Sequence, residues 1–224
     1  MASLSLVDLV CNRTVSPEMA AVLATAAEER RSMLGVAIPR GAGKSTVMEA
    51  ALSYVPAGTA FHHLTEAQGP GLGIPATPDG GYLVMSEIST APMLDYLWGA
   101  PVRKVFQALS RGGFSLATAL HAAGIEEAFQ VITGDNAVPD EHAAHMDLMY
   151  YLRSIGDDWR NPLRRVMTEL YEIDGVEGGR PIARLLQRWN EAEDRFEAVE
   201  QPRRIGSGND RLERNANVFR PRSM

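Results

Sequence analysis

The run Met33-Leu34-Gly35-Val36-Ala37-Ile38-Pro39-Arg40-Gly41-Ala42-Gly43-Lys44-Ser45-Thr46 constrains this chain more than any other stretch. Its first residues are apolar or small and read as a buried strand; a glycine-rich turn follows, and then the start of a helix. The end of the run matches the phosphate-binding pattern GxxxxGK[ST], with Ile38 standing where the pattern has its first glycine. In that pattern successive backbone N–H groups point inward around a polyphosphate. Gly41 and Gly43 tolerate the positive φ that such a turn demands, Lys44 brings a charge for the β- and γ-phosphates, and Ser45 a hydroxyl for Mg²⁺. Free N–H groups at the start of the next helix also favour an anion. The alternative is a glycine turn that binds nothing. Against it stand the strand before, the Gly-Lys-Ser-Thr run and the helix-forming residues 47–52 after, which agree with the context this pattern requires.

The remaining chain supplies a sheet for that turn. Ser16 as N-cap and Pro17 in the first turn start a helix over residues 17–31. Another helix, 44–54, stops at Pro56-Ala57-Gly58. Strands are expected at 59–65, 82–85 and 114–120, and helices at 92–109, interrupted at Gly99-Ala100-Pro101, and at 125–132. Residues 67–81 hold too many glycines and prolines for regular structure and are expected to be a mobile active-site flap or a disordered insertion. This alternation predicts an α/β fold with a mostly parallel sheet flanked by helices. After residue 145 the pattern changes. Residues 146–152 and 166–173 read as an antiparallel strand pair at the sheet's edge, and Leu185, Trp189 and Phe196 share a face of a C-terminal helix over 181–196.

A length of 224 residues suits one such domain, taken as 1–200 with its core at about 30–198. The net charge of −6 is unevenly spread: residues 201–224 carry six arginines and two carboxylates, which leaves −10 on the first 200. A basic tail of this kind contacts a protein partner or the chain's own acidic surface, or stays disordered; a flexible tail is the expectation. Nothing indicates nucleic acid, because no aromatic residues interleave with the basic ones. No apolar run is long enough to cross a bilayer and residues 1–10 lack the form of a signal peptide, so a cytoplasmic location is expected. The single cysteine, Cys11, reads as a small buried apolar residue. His142 and His145 beside Asp140, Glu141 and Asp147, and the adjacent His62-His63, make only half of a metal motif.

Open α/β sheets bind ligands at the carboxyl ends of their strands. The expected strands deliver Lys44 and Ser45, then Glu66, Glu87 and His121 there. Glu87, directly after an apolar strand, is expected to hold the Mg²⁺ shell or polarise an attacking water. His121 is placed to meet a γ-phosphate, and Glu66 is a third catalytic candidate. Each has a plainer reading, as a surface carboxylate or a packed imidazole.

The order of Ile38-Pro39-Arg40-Gly41-Ala42-Gly43-Lys44-Ser45-Thr46, Thr65-Glu66, Leu83-Val84-Met85-Ser86-Glu87-Ile88 and Leu116-Ala117-Thr118-Ala119-Leu120-His121 resembles the ATPases of type II and type IV secretion and type IV pilus machines. There the corresponding segments are called the Walker A, aspartate, Walker B and histidine boxes; the last is the most distinctive. The resemblance implies a RecA-like P-loop core, ATP and Mg²⁺ as cofactors, residues 39–46 as the nucleotide contacts, Ser45 and Glu87 as the metal's residues, and a homo-oligomeric ring. Arg103 and Arg111 are candidates, by location only, for the arginines such a ring supplies across subunits. The segment after the second acidic strand, Ser86-Glu87-Ile88-Ser89-Thr90, departs from the Gly-Glu ending of the family. Two rival readings therefore accompany ATP hydrolysis: a nucleotide-binding module without turnover, and a small-molecule phosphotransferase.

Overall fold

The computed structural model describes residues 4–38, 41–156, 158, 160–208 and 210–220. Two short helices, α1 (Leu6–Cys11) and α2 (Pro17–Glu28), precede β1 (Met33–Ala37) and α3 (Lys44–Leu52). Then come β2 (Phe61–His63), β3 (Tyr82–Val84), β4 (Glu87–Ile88), β5 (Tyr96–Leu97), α4 (Ala100–Ser110), β6 (Ser115–Leu120), α5 (Ile125–Phe129) and α6 (Asp140–Ala143). The chain continues as β7 (Leu148–Ile155), β8 (Arg164–Glu177), β9 (Arg180–Asn190), β10 (Arg195–Ala198) and α7 (Arg211–Phe219).

The described strands form one sheet in the order β10-β9-β8-β7-β1-β6-β3-β2, with β4 and β5 beside the end of β6. From β2 to β7 neighbours run parallel; β8, β9 and β10 continue the sheet antiparallel. All five residues of β1 are buried, as a central parallel strand requires. Their alternation divides the core. Met33 and Ala37 face one cluster with Met19, Leu23, Val47, Tyr150 and Phe219, whereas Leu34 and Val36 face another with Phe106, Leu116, Leu120 and Phe129. Helices α2, α3 and α7 thus cover one face, and α4, α5 and α6 the other.

Several expectations change. Residues 181–196 are not a helix but the strands β9 and β10, in which Trp189 and Phe196 sit opposite each other. Residues 92–98 contain the short strand β5 in place of helix. Cys11 is exposed, at the end of α1. The 67–81 segment is tied down: Glu66–Gly71 is a 3₁₀ turn, Lys104 reaches the Pro70 carbonyl, Arg30 donates to the Gly80 carbonyl at 2.8 Å, and Asp79 pairs with His62.

The stretch expected as a loose tail is docked on the domain. Glu172, fully buried on β8, accepts the backbone N–H groups of Arg203, Arg204 and Ile205 at 2.7–2.9 Å. Arg204 pairs with Asp147 and Arg214 with Glu28, so basic residues of this stretch meet acidic groups of the body. Asn215 donates to Thr25, which seats α7 against the alanine-rich α2, and Phe219 lies 5.9 Å from the ring of Tyr54, just after α3. Among the described residues no group of three or more His, Cys, Asp or Glu side chains is arranged to hold a metal, and no helix is long and apolar enough to cross a membrane.

Candidate functional site

The loop between β1 and α3 opens at the carboxyl end of the central strand. Gly41 has φ +78° and Gly43 φ +97°, values that strain any residue with a Cβ. Ile38 stays outside that region, so the position taken from the pattern's first glycine asks for no special backbone. Pro39 and Arg40 lie outside the described residues.

Gly43 is the N-cap of α3 and offers no side-chain acceptor to the helix. Among the described residues the N–H groups of Ala42, Gly43, Ser45 and Thr46 find no hydrogen-bond partner. The first four N–H groups of any helix lack an intrahelical acceptor, and a buried donor left unmet costs about 1–3 kcal/mol. Ala42 is itself only 1% exposed. A row of inward donors at a helix N-terminus is an anion-binding arrangement.

Three side chains converge beside these donors. Lys44 Nζ lies 3.5 Å from Glu87 Oε2 and 3.1 Å from His121 Nε2, and Glu87 and His121 approach each other at 3.4 Å. Topology explains the meeting. Strand β6 lies between β1 and β3, so His121, directly after β6, stands between the loop and Glu87, which starts β4 just beyond β3. His121 Nδ1 is 2.9 Å from the Ala37 carbonyl. A carbonyl only accepts, so Nδ1 carries the proton; Nε2, lying between the Lys44 ammonium and the Glu87 carboxylate, can accept from the first when it bears no proton or donate to the second when it does.

Lys44 and Glu87 are 8% and 7% exposed. Glu87 Oε1 and Thr118 Oγ1 are buried without a hydrogen-bond partner among the described residues, and both side chains line the same cleft of about 490 Å³. Unmet buried acceptors are rare enough to mark a place where a further ligand belongs. Beyond the polar cluster the cleft continues along α3 past Met48 and Leu52 to Phe61 and Tyr96.

Of the residues expected from the sequence, the structure brings Gly41, Ala42, Gly43, Lys44, Ser45, Glu87 and His121 to this cleft, and Thr46 to the other side of the loop. Glu66 does not come with them. It is exposed in the 3₁₀ turn and lines a separate depression with Pro70, Leu72 and Lys104; none of residues 66–81 lines the Lys44 cleft. Arg103 is engaged within the fold, donating to the Asn136 carbonyl at 2.8 Å.

Two residues near the loop were not foreseen in a supporting role. Tyr150 of β7 donates to the Lys44 carbonyl at 2.8 Å, and burial raises its pKa, which keeps it a donor. Arg165 of β8 donates from Nε to the Gly41 carbonyl at 2.7 Å. Both contacts cross more than 100 residues of sequence, a separation that local pattern does not signal.

No family profile and no curated protein matches the chain. Among solved structures the chain is similar to the VirB11 ATPase of the Brucella suis type IV secretion system, solved in complex with sulphate: 15% identity, TM-score 0.50, covering 76% of this chain and 57% of that one. The chain therefore spans little more than half the length of that protein. At this identity the likeness is one of fold, a mixed α/β sheet flanked by helices.

Proposed function

We propose that this chain binds ATP with Mg²⁺ at residues 41–46 and hydrolyses it, on a RecA-like core of the kind found in secretion and pilus ATPases. One observation carries the reading: an ammonium, a buried carboxylate and an imidazole within 3.5 Å of one another, beside a helix start at which the N–H groups of Gly43, Ser45 and Thr46 have no partner among the described residues. The fold likeness to a secretion ATPase supports it.

The phosphates would lie against the N–H groups of Ala42 to Thr46, with Lys44 turning from Glu87 to the β- and γ-phosphates. Glu87 is then released to orient and deprotonate a water. His121 holds Lys44 or that water through Nε2 when that nitrogen bears no proton. Mg²⁺ fits the donors present. Ser45 and Glu87 offer hard oxygens, Glu87 Oε1 has no hydrogen-bond partner among the described residues, and this ion is usually held by one or two carboxylates together with substrate phosphates. Bound there, it would neutralise charge on the phosphate oxygens.

The test is MgATP titration beside a phosphate-release assay. Lys44→Ala is expected to weaken binding at least about tenfold, and Glu87→Gln to keep binding while losing about 100-fold or more in turnover. A wild type that binds but releases no phosphate is a nucleotide-binding module, and Lys44→Ala binding like the parent refutes the site. The apolar extension of the cleft favours a second reading, transfer to a small acceptor. Formation of ADP without equal inorganic phosphate, when candidate alcohols are supplied, would select it.

A further inference from the structure

The arginine next to the loop comes from the antiparallel half of the sheet. Arg165 stands near the start of β8, opposite Ser154 of β7. Its Nε–H holds the Gly41 carbonyl, and its Cδ is 3.3 Å from where a Cβ on Gly43 would stand. It lines a second cleft of about 700 Å³ on the other side of the loop. Gly41, Ala42, Gly43 and Ser45 line both clefts; Lys44, Glu87 and His121 line only the first. Arg165 thus reaches the loop from the face away from the reactive cluster.

In a trans peptide the C=O and N–H of one unit point in opposite directions. Holding the Gly41 carbonyl toward β8 therefore turns the Ala42 N–H away from β8, toward the Lys44 side. Among the described residues that N–H has no hydrogen-bond partner. Both flanking glycines are conformationally permissive, and Gly43 provides no side-chain cap.

We propose that Arg165 is a positioning residue that braces the Gly41–Ala42 peptide and keeps the Ala42 N–H available to a bound phosphate. The inference rests on the reading of the loop as a phosphate cradle. A guanidinium suits the task because its planar N–H donors are fixed in direction, whereas an ammonium rotates. Because the brace acts on the cradle and not on the reacting atoms, it governs affinity for every phosphate chain the loop accepts.

Calorimetric titration of MgADP, MgATP and pyrophosphate, with steady-state phosphate release, tests this on the full chain. Arg165→Ala is expected to weaken all three ligands by a similar factor of about ten and to raise KM alike, with kcat within about twofold. Arg165→Lys should fall between the alanine variant and the parent. Should the alanine variant not fold, the lysine variant alone decides, since it must still weaken ADP several-fold. Unchanged affinity, or loss for ATP with ADP unaffected, overturns the brace and leaves the nucleotide reading standing. A wild type that binds none of the three ligands overturns both.

Discussion

Gly35 and Tyr150 show how narrowly single residues fit behind the loop. A Cβ on Gly35 would lie 2.6 Å from Tyr150 Oη, the same hydroxyl that donates to the Lys44 carbonyl. Gly35→Ala is expected to cost about 1–3 kcal/mol through overpacking, read by urea unfolding. Tyr150→Phe should cost about 1 kcal/mol for the lost hydrogen bond. In the double variant the alanine costs less than it does alone, since the nearest clashing atom is gone; additive costs would show that the two residues do not meet as described. Asp194 makes a prediction in pH. A hydrogen bond from Arg164, one from Trp189 and the charges of Arg164 and Arg13 hold its pKa down at about 2. A carboxyl depressed in the folded state adds stability that is complete above its unfolded pKa, about 3.9, and is lost as pH falls through about 2. The wild type should therefore lose stability over that interval, and Asp194→Asn should lose less; parallel curves would remove Asp194 from the account.

Among the elements, the segment after residue 200 makes the clearest prediction. Its removal strips Glu172, fully buried, of the three N–H donors it accepts from. The deletion leaves Glu172 the Arg184 guanidinium at 3.6 Å but removes its N–H donors from the segment, so deleting residues 201–224 is expected to destabilise the domain by about 3 kcal/mol, and Glu172→Gln in the full chain by less. Denaturation curves of the two decide it, and a deletion as stable as the parent would mean that the docked segment holds nothing. The sequence made this stretch look loose because its contacts are with residues 31–190 positions away. Strand β9 was illegible for a local reason. Leu185, Trp189 and Phe196 have helix-like spacing, and two register shifts in the β8–β9 ladder break the alternation that marks a strand. The usable sign was Gly178-Gly179, a two-residue hairpin turn with φ of +58° and +75°. For α1 it was Ser5 and Asp8, a reciprocal capping box. By contrast β1, α3 and β6 could be read directly, since β1 and β6 are short runs of apolar and small residues and α3 follows at once on the Gly-Lys-Ser-Thr run. Lys44, Glu87 and His121 were legible for that same reason. Arg165 was not, because nothing in 160–165 points to residue 41.

For the molecule as a whole, the sheet sets the distances. The parallel strands from β2 to β7 in the sheet end together beside the loop, and helices cover both faces. Binding there should stabilise the entire domain. MgATP at about 100 times its dissociation constant is expected to add about 2.7 kcal/mol, seen as a raised unfolding midpoint that Lys44→Ala abolishes. A midpoint that rises equally in the variant would locate the nucleotide elsewhere. The antiparallel strands take part as well, because β8 touches the loop through Arg165 near one end and secures the docked segment through Glu172 farther along. A chain cut after Ile155 would keep every letter of the glycine-lysine signature together with its carboxylate and its imidazole, yet lose the strut behind them. The smallest unit able to grip an anion is in that sense larger than the signature that advertises it.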